Sequence, residues 1–484
     1  MIILSITGPS METALQQVKS GSRYADILEF RLDMIGNVEL TRLLSSTRKP
    51  RIVTCRPVYE GGRFAGRESD RIEILEGASL LGAEYVDIEY DAGAAAIRNF
   101  VLRRLETSVI VSKHIFSRSR FHVPTIYRQL HATGADVIKF AFMADDAADI
   151  GHAFEFLALA RADRRKAIAI AMGEAGEASR ILYRCFGGWA TYASVDAGGG
   201  AAPGQVPARD LRLLYRAHIL TPRTRIFGVV GNPVRQSKGI YVHNAVFQKS
   251  GTNAVYCRFR VRDLGRFVRA IVPFMGGFSV TLPHKESIGR HLDSVGPVAR
   301  AIGAVNTVYR KNGKLTGTNT DASAALDAIE DVSVVHGKNL LIVGAGGAAR
   351  AVAHEALQRG ARVLIANRTD ARARRLAAGI GAVHVKMADL VRQPFDILVN
   401  ATSVGMFPAM HATPVPAEIL EGKIVFDAVY NPPLTRLLRD ARKAGGRTVA
   451  GTAMYINQAA QQSKLFTGKE PDLRLMRRVF QRHR

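Results

Sequence analysis

The run Gly134-Ala-Asp-Val-Ile-Lys-Phe-Ala-Phe-Met143 sets a lysine inside an apolar stretch that reads as a buried β-strand. A buried ammonium is costly unless it is paired or loses its proton. Two readings of Lys139 follow. Its stem could line the strand while the head snorkels to water at a barrel end. Alternatively, burial could lower its pKa so that the free amine attacks a carbonyl. Other charged residues interrupt or end apolar runs in the same way: Glu29, Arg31 and Asp33 in "LEFRLD", Arg56 after "RIVTC", and His114 after "SVIVSK". Alternate positions share one face of a strand, so Glu29, Arg31 and Asp33 point together. Farther along, "GAGGAA" places Gly344, Gly346 and Ala349 at the positions of G-x-G-x-x-G/A. Small residues there let a backbone approach a pyrophosphate, and the following helix N-terminus attracts its charge. By pattern alone, a glycine turn without ligand stays open. About twenty residues on, Asn367, Arg368 and Thr369 stand where an NAD site often carries Asp or Glu; an arginine suits the 2′-phosphate of NADP.

Those residues need a scaffold. The runs "IILSIT", "ADILEFRLD", "RIVTCR", "EYVDIEY", "SVIVSKH", "DVIKFAF", "AIAIAM" and "ATYASV" make eight strands, each followed by enough chain for a helix. Eight βα units within roughly 215 residues predict a (β/α)8 barrel, whose chemistry sits at the C-terminal strand ends. Charged residues from several strands then converge on one mouth. The stretch Thr221-Pro-Arg-Thr224 predicts a domain boundary after a helix "ARDLRLLYRAHI". A second α/β pattern follows, with strands "RIFGVVG", "AVYCRFRV" and "GGFSVTLP". A hairpin turning at Lys311-Asn-Gly-Lys314 comes next, then strand, glycine turn and helix in "KNLLIVGAGGAARAVAHEALQRG".

A chain of 484 residues predicts two or three domains. No apolar run is long enough for a bilayer, and the N-terminal "MIILSITGPS" reads as a first strand, not a signal peptide. Three scattered cysteines without metal-ligand spacing predict a reduced, cytoplasmic protein with no metal site. The net charge of +25 raises the question of nucleic acid. The arginines are spread along the chain without aromatic interleaving, so anionic small molecules explain the charge better. The densest run, "LRLMRRVFQRHR", reads as an amphipathic helix with a solvated basic face.

Two sets of motifs carry a resemblance. The first half, through "SITG", "LEFRLD", "TCRPVYEGGRF", "VSKHIF", "VIKFAFM", "IAIAMGEAGEASR" and "APGQVPARDL", resembles the type I 3-dehydroquinate dehydratases over residues 1–218. The second half resembles the shikimate dehydrogenases through "GVVGNPVRQSK", "GFSVTLPHK", "AIGAVNTV", "GTNTD", "GAGGAAR", "NRT", "NATSVGM", "VYNPPLTRLL" and "GTAMYINQA". The resemblance implies an α/β chain: an N-terminal (β/α)8 barrel over residues 1–220, then a two-lobed dehydrogenase. Its substrate lobe would span 225–321 plus 456–484, and its Rossmann nucleotide-binding lobe 322–455.

It also implies roles. Lys139 would form a Schiff base with the C3 ketone of 3-dehydroquinate, and His114 would be the general base, oriented by Glu60. Arg180 would grip the substrate carboxylate, with Ser5, Glu29, Arg31, Arg56, Met172 and Gln205 at other pocket positions. In the dehydrogenase, Lys285 and Asp321 would stand beside the reacting carbon. By spacing alone, Lys285 in "PHKE" reads as a solvated loop lysine. Ser237, Thr281, Asn306, Tyr430 and Gln458 would contact substrate. NADP(H) would lie against Gly344, Ala345, Gly346, Gly347, Ala348, Asn367, Arg368, Thr369 and Gly451. The expected partners are 3-dehydroquinate, 3-dehydroshikimate and shikimate, with neither nucleic acid nor membrane. Three positions depart from the families' patterns: Ala201 and Gly239 replace serines, and Ala322 replaces a glycine. These departures bear on affinity, not on the chemistry.

Overall fold

The computed structural model describes residues 1–103, 106–117, 121–198 and 200–483; Arg484, the last residue of the expected substrate lobe, lies outside them. Two packed units account for the chain, one of residues 1–240 and 253–275, the other of residues 241–252 and 276–484.

In the first unit the eight expected strands form: β1 (Ile2–Ile6), β2 (Ile27–Arg31), β3 (Arg51–Thr54), β4 (Tyr85–Glu89), β5 (Ser108–Ile115), β6 (Val137–Met143), β7 (Lys166–Met172) and β8 (Thr191–Ser194). All are parallel, in the spatial order β7-β6-β5-β4-β3-β2-β1-β8, with a two-residue strand β9 (Val206–Pro207) added beyond β8. The curled sheet is completed where β7 and β8 pack side by side; the Trp189 N–H, just before β8, donates to the Ala167 carbonyl at 2.8 Å. Inside, Ile3, Ile27, Ile52, Ile110, Val137 and Ile168 fill the lower part with branched apolar side chains. One pleat farther along, the inward residues turn polar. Ser112 pairs with Lys139 in the β5–β6 ladder and Glu89 with Ser112 in the β4–β5 ladder. Outward residues of β6 face helices instead: the rings of Phe140 and Phe156 lie 5.4 Å apart.

The segment expected as a helix before the linker is a wide π-type turn over Asp210–Leu214 and a 3₁₀ turn over Ala217–Ile219. Arg216 between them has φ 51°, which no helix continues through. Arg212 is drawn away to the Tyr24 carbonyl and the Asp26 carboxylate.

The first unit also takes in the parallel pair Arg225–Gly231 and Ala254–Arg260 and the helix Leu264–Ala270. Barrel carboxylates hold them. The buried Asp146 accepts the Arg262 and Asp263 N–H groups at 2.6 and 3.0 Å, Glu174 pairs with Arg260 at 3.1 Å, and Asp149 with Arg266 at 2.7 Å.

In the second unit, the strand Gly277–Val280 runs antiparallel to Thr307–Lys311, which turns back as Lys314–Thr318. The turn is the expected one, with Asn312 and Gly313 both at positive φ. The helices Gly451–Thr467 and Leu473–Arg482 also belong to this unit. A six-stranded parallel sheet follows in the order Val383–His384, Arg362–Ala366, Asn339–Val343, Ile397–Asn400, Ile424–Asp427, Arg447–Ala450. With the strands counted in chain order this is 3-2-1-4-5-6, the doubly wound dinucleotide-binding topology. Apolar clusters cover both faces of the sheet. No helix among the described residues is long and apolar enough to cross a membrane.

Candidate active sites

At the C-terminal end of the barrel one pocket gathers Glu29, Arg31, Arg56, Glu60, His114, Lys139, Met172, Arg180 and Gln205. Ser5 stands behind them, donating to Glu29 at 2.6 Å and lying 3.4 Å from the Gln205 amide. Of the residues singled out in the first half, all but Asp33 line this pocket or, like Ser5, stand behind it; Asp33 holds the Arg31 guanidinium at 2.8 Å and accepts the Arg63 N–H at 3.0 Å. Ala201 lines the pocket as well, and its N–H donates to Gln205 at 2.9 Å.

Lys139 does not snorkel. It is 4 % exposed, its Nζ donates to Asp87 Oδ2 at 2.8 Å, and it lies 4.1 Å from the centre of the Tyr192 ring. Burial lowers its pKa, Asp87 opposes that shift, and the Arg56 guanidinium adds to it. Asp87 also accepts from Arg56 at 3.0 Å and Ser112 at 2.5 Å. Against the cost of burial, the Lys139 and Arg56 cations hold Asp87 down at about 2. His114 has a pKa well below its usual value, first through burial and then through Arg56, Lys139 and Arg31. Its Nδ1 is 2.7 Å from Glu60 Oε2. Burial pushes Glu60 up to about 8, favouring its neutral form, whose Oε2 can accept the Nδ1–H of the imidazole. With the proton on Nδ1, the Nε2 lone pair is free to act as a base.

Three polar atoms in this pocket are buried without a partner: Glu60 Oε1, Arg180 Nε and Tyr192 Oη. Arg180 is 1 % exposed, its hydrogen bond runs from Nη2 to the Pro203 carbonyl at 3.1 Å, and burial lowers its pKa to about 10. An arginine buried beside no carboxylate marks the place of an anionic ligand group. Sequence reasoning missed Asp87, Glu89, Ser112 and Tyr192. The signal was present in "EYVDIEY", where two acids alternate inside a strand that should be apolar.

In the second unit, Lys285 Nζ donates to Asp321 Oδ2 at 2.7 Å. Lys285 sits in the loop after Gly277–Val280, and Asp321 opens the helix Asp321–Glu330, where a carboxylate suits the helix dipole. Their side chains are 30 % and 15 % exposed, so this pair stays wet where Lys139 and Asp87 are dry. Tyr430 lies near enough that the Lys285 charge opposes the rise that burial imposes on its phenol. Asn306 is buried; its Oδ1 accepts from the Thr320 N–H and the Thr307 hydroxyl, and its Nδ2 donates to Thr320. Thr281 is half-buried at the strand end, and the Gln458 amide donates to the Tyr455 carbonyl at 3.2 Å. Ser237 belongs to the first unit, where its Oγ accepts the Gly239 N–H at 3.3 Å. A Cβ on Gly239 would come within 3.0 Å of the Tyr256 ring, which leaves little room for the serine of the family pattern. Ala322 is fully buried against Ile302 and Ala351.

The glycine turn has the geometry of a phosphate cradle. Gly344 has φ 131°, and a Cβ there would meet the Ala401 carbonyl at 2.9 Å. Gly346 and Gly347 open the helix Gly347–Gln358, and a Cβ on either would touch nothing in the protein. Ala348 lies in the first turn of that helix. The room in front belongs to a pocket of about 500 Å³ lined by Ala345, Gly346, Gly347, Arg350, Arg372 and Arg375. The three arginines were not singled out in the sequence; Arg372 and Arg375, three apart, share one helix face. Arg368 is exposed at the end of Arg362–Ala366, followed by Thr369, whose carbonyl accepts from the Asn367 amide at 3.0 Å. Gly451 is explained by packing, since a Cβ there would lie 2.7 Å from the Ala428 and Val429 carbonyls.

A buried amine and a neutral imidazole at a barrel mouth, with a dinucleotide fold carrying a lysine–carboxylate pair, define a two-part metabolic enzyme. Family comparison resolves the class. The sequence model of type I 3-dehydroquinase matches residues 2–220. That of the shikimate dehydrogenase substrate-binding domain matches 229–308, and that of shikimate/quinate 5-dehydrogenase 327–409. The chloroplastic bifunctional 3-dehydroquinate dehydratase/shikimate dehydrogenase of Arabidopsis thaliana is 38 % identical over 472 residues, covering 92 % of this chain and 78 % of that protein. The chain belongs to the bifunctional 3-dehydroquinate dehydratase/shikimate dehydrogenase family, a lyase and an oxidoreductase in one polypeptide.

Among solved structures, the shikimate dehydrogenase of Thermus thermophilus with NADP(H) and shikimate is 35 % identical, with TM-score 0.50, over 54 % of this chain and all of that one. The quinate dehydrogenase of Corynebacterium glutamicum with NAD is 32 % identical, with TM-score 0.51, over 54 % of this chain and 99 % of that one.

Proposed function

We propose that the barrel converts 3-dehydroquinate to 3-dehydroshikimate and that the second half reduces that product to shikimate. The observation that carries the reading is the dry constellation Lys139–Asp87–Arg56–His114–Glu60, with Arg180, paired with no carboxylate and its Nε unpartnered, in the same pocket. The Lys139 amine, deprotonated by transfer to solvent, adds to the C3 carbonyl, and loss of water leaves an iminium. His114 Nε2 removes the C2 proton, and the electron pair moves into the iminium to give an enamine. The pair returns to expel the C1 hydroxyl, which takes a proton from His114 and departs as water. Hydrolysis of the conjugated iminium frees Lys139. Arg180 holds the substrate carboxylate throughout, and Glu29, Arg31, Arg56, Gln205, Ser5 and Met172 shape the pocket around the hydroxyls.

In the dehydrogenase, the open space before Gly346 and Gly347 and the cluster Arg350, Arg372 and Arg375 fit a dinucleotide phosphate; Arg368 suits a 2′-phosphate, hence NADP. Bound NADPH supplies the hydride. Lys285 protonates the carbonyl oxygen as it gains charge, and Asp321 holds the ammonium at that oxygen. Ser237, Thr281, Asn306, Tyr430 and Gln458 would contact the substrate's hydroxyl and carboxylate groups. The two activities divide at Thr221–Thr224, with residues 225–321 and 456–484 binding substrate and 322–455 binding nucleotide. A cytoplasmic enzyme with no nucleic-acid or membrane partner accords with this reading.

Pure protein given 3-dehydroquinate and NADPH tests it. The expected product is shikimate, with 3-dehydroshikimate alone when NADPH is omitted; no conversion of 3-dehydroquinate would refute the barrel assignment. Quinate and NADP supplied together separate a shikimate enzyme from a quinate enzyme. Residues 1–220 alone should still dehydrate 3-dehydroquinate, and a folded but inactive fragment would refute the division.

A further inference from the structure

Beside the barrel pocket lies a second cluster of buried charge that the mechanism does not use. Arg71, on the helix Glu68–Leu80, is 0 % exposed and touches neither the pocket nor solvent. A buried guanidinium needs its donors filled, and here they are. Its Nε donates to Glu68 at 2.9 Å, its Nη2 to the other Glu68 oxygen, and its Nη1 to the Cys55 carbonyl at 3.2 Å and to Glu89. Glu89, also 0 % exposed, places its other oxygen 2.8 Å from Arg56 Nη1. The same Nη1 lies 3.1 Å from Ser112 Oγ and 3.1 Å from His114 Nδ1, while Nη2 donates to Asp87, the partner of Lys139. The ionisable groups facing Arg71 are Glu68 on its own helix, Glu89 on β4, and Cys55 and Tyr59 after β3.

We propose that Arg71 is a positioning residue of the dehydration: it anchors Glu89, Glu89 anchors Arg56, and Arg56 fixes where Asp87 holds the Lys139 amine and where His114 stands. This rests on the reading that Lys139 and His114 carry the reaction. The physical reason is crowding. Three carboxyl groups, Asp87, Glu89 and Glu60, lie within 4 Å of Arg56 and compete for its guanidinium. Its orientation depends on which carboxylates are tied elsewhere. With Arg71 gone, Glu89 has only Arg56 left as a charged partner, and the guanidinium swings toward it and away from Asp87.

Dehydration kinetics on the full-length chain test this. Arg71→Met should lower kcat by roughly ten- to hundredfold, the cost of misplacing reacting groups by a fraction of an ångström to about one. KM should stay within about twofold, because Arg71 does not touch substrate. Arg71→Lys keeps a cation against Glu89 and should recover most of the rate. Reduction of supplied 3-dehydroshikimate should not change. An unchanged kcat in folded Arg71→Met, or a loss matched by KM and not rescued by lysine, overturns the proposal. If Arg71→Met does not fold, Glu68→Gln serves instead: that carboxylate is 38 % exposed and loosens Arg71 from outside. It should lower kcat severalfold at constant KM, and no change overturns the proposal. Lys139→Ala, run alongside, separates the two failures, since an active Lys139→Ala protein refutes the catalytic reading itself.

Discussion

The two lysines of this chain sit in opposite electrostatic settings. Lys139 is buried in a barrel, held by a fully buried aspartate and surrounded by further charges with no water to screen them. Lys285 stands on a loop, a third exposed, beside a single partly exposed carboxylate. The tasks differ accordingly. A lysine that must be a nucleophile needs its ammonium destabilised, which burial and a neighbouring arginine accomplish. A lysine that is to deliver a proton needs a carboxylate to aim it and solvent to reload it. The comparison shows that a barrel pocket reached by eight strand ends can concentrate desolvated charge, whereas a loop beside a Rossmann-type lobe presents charge to a cofactor and to water.

The sharpest way to break the comparison is to remove each amine. Lys139→Ala should cost the dehydratase about 10⁴-fold or more in kcat, because the covalent route is lost. Reduction of supplied 3-dehydroshikimate should persist. Borohydride added with 3-dehydroquinate should fix ligand mass on the peptide holding Lys139 and nowhere else; an unlabelled Lys139 sinks the Schiff-base role. Lys285→Met should lower reduction by roughly 10²–10⁴-fold through the lost proton donor, with dehydration intact. The stability consequences should run the other way. Asp87→Asn leaves the buried Lys139 without its carboxylate and should destabilise the barrel by about 3–5 kcal/mol, whereas Lys285→Met should change stability by less than about 1 kcal/mol. Trp189, the sole tryptophan, lies in the barrel, so its fluorescence during urea unfolding reports the first effect separately. Equal stability losses in the two variants would erase the contrast.

The contrast also explains what the sequence made legible. Short apolar runs ending in polar residues, each followed by enough chain for a helix, exposed all eight barrel strands, and Glu29, Arg31, Arg56, His114 and Lys139 converged on one pocket as expected. The pairing inside the pocket was not legible. That Asp87, not Glu29 or Glu60, holds Lys139 depends on the stagger between neighbouring strands, which no single strand's pattern contains. The continuous helix expected over residues 208–219 is interrupted for a similar reason: Arg212 is captured by Asp26, which is distant in sequence. In the nucleotide-binding fold the glycine turn was plain, because a strand, a small-residue turn and a helix are contiguous. Arg350, Arg372 and Arg375 come together from two helices, and only the fold joins them.

Within the second unit, nucleotide choice tests whether exposed charge can discriminate at all. Arg368 has no acidic residue beside it in sequence to replace its role, and a guanidinium–phosphate pair is charge-assisted and bidentate. Wild type should prefer NADPH over NADH by roughly 2 kcal/mol, or about thirtyfold in kcat/KM. Arg368→Ala should lose most of that preference with little effect on kcat for NADPH at saturation. Equal use of the two cofactors by wild type would refute the assignment, and a preference untouched by Arg368→Ala would transfer it to Arg372 or Arg375.

The smallest effect concerns a buried base outside both sites. His243, 1 % exposed, lies 2.9 Å from the Ser463 hydroxyl, with the Phe247 and Phe466 rings nearby. Burial lowers its pKa to about 3, only partly offset by a side-chain hydrogen bond to Gln462. The sign follows from which state binds the proton. Above the ordinary histidine value of about 6.5 neither state is charged, and the stability is fully present. As pH falls below that value the unfolded chain takes up a proton that the folded chain refuses, so stability declines until the folded-state value near 3. The slope is about 1.4 kcal/mol per pH unit, so roughly 2 kcal/mol is lost between pH 6.5 and 5. The barrel carries the same liability in His114, whose pKa burial also lowers, whereas Asp87 is held low and loses its contribution only below pH 4. Circular dichroism of urea unfolding, with the barrel's share identified by Trp189 fluorescence, should therefore show the second unit weakening as pH drops from 7 to 5. His243→Leu combined with Ser463→Ala removes the titrating ring without leaving an orphan hydroxyl, and should flatten that dependence by one proton. If the slope is unchanged, the acid sensitivity of this unit lies in its carboxylates, and the folded protein takes up the His243 proton as readily as the unfolded chain does.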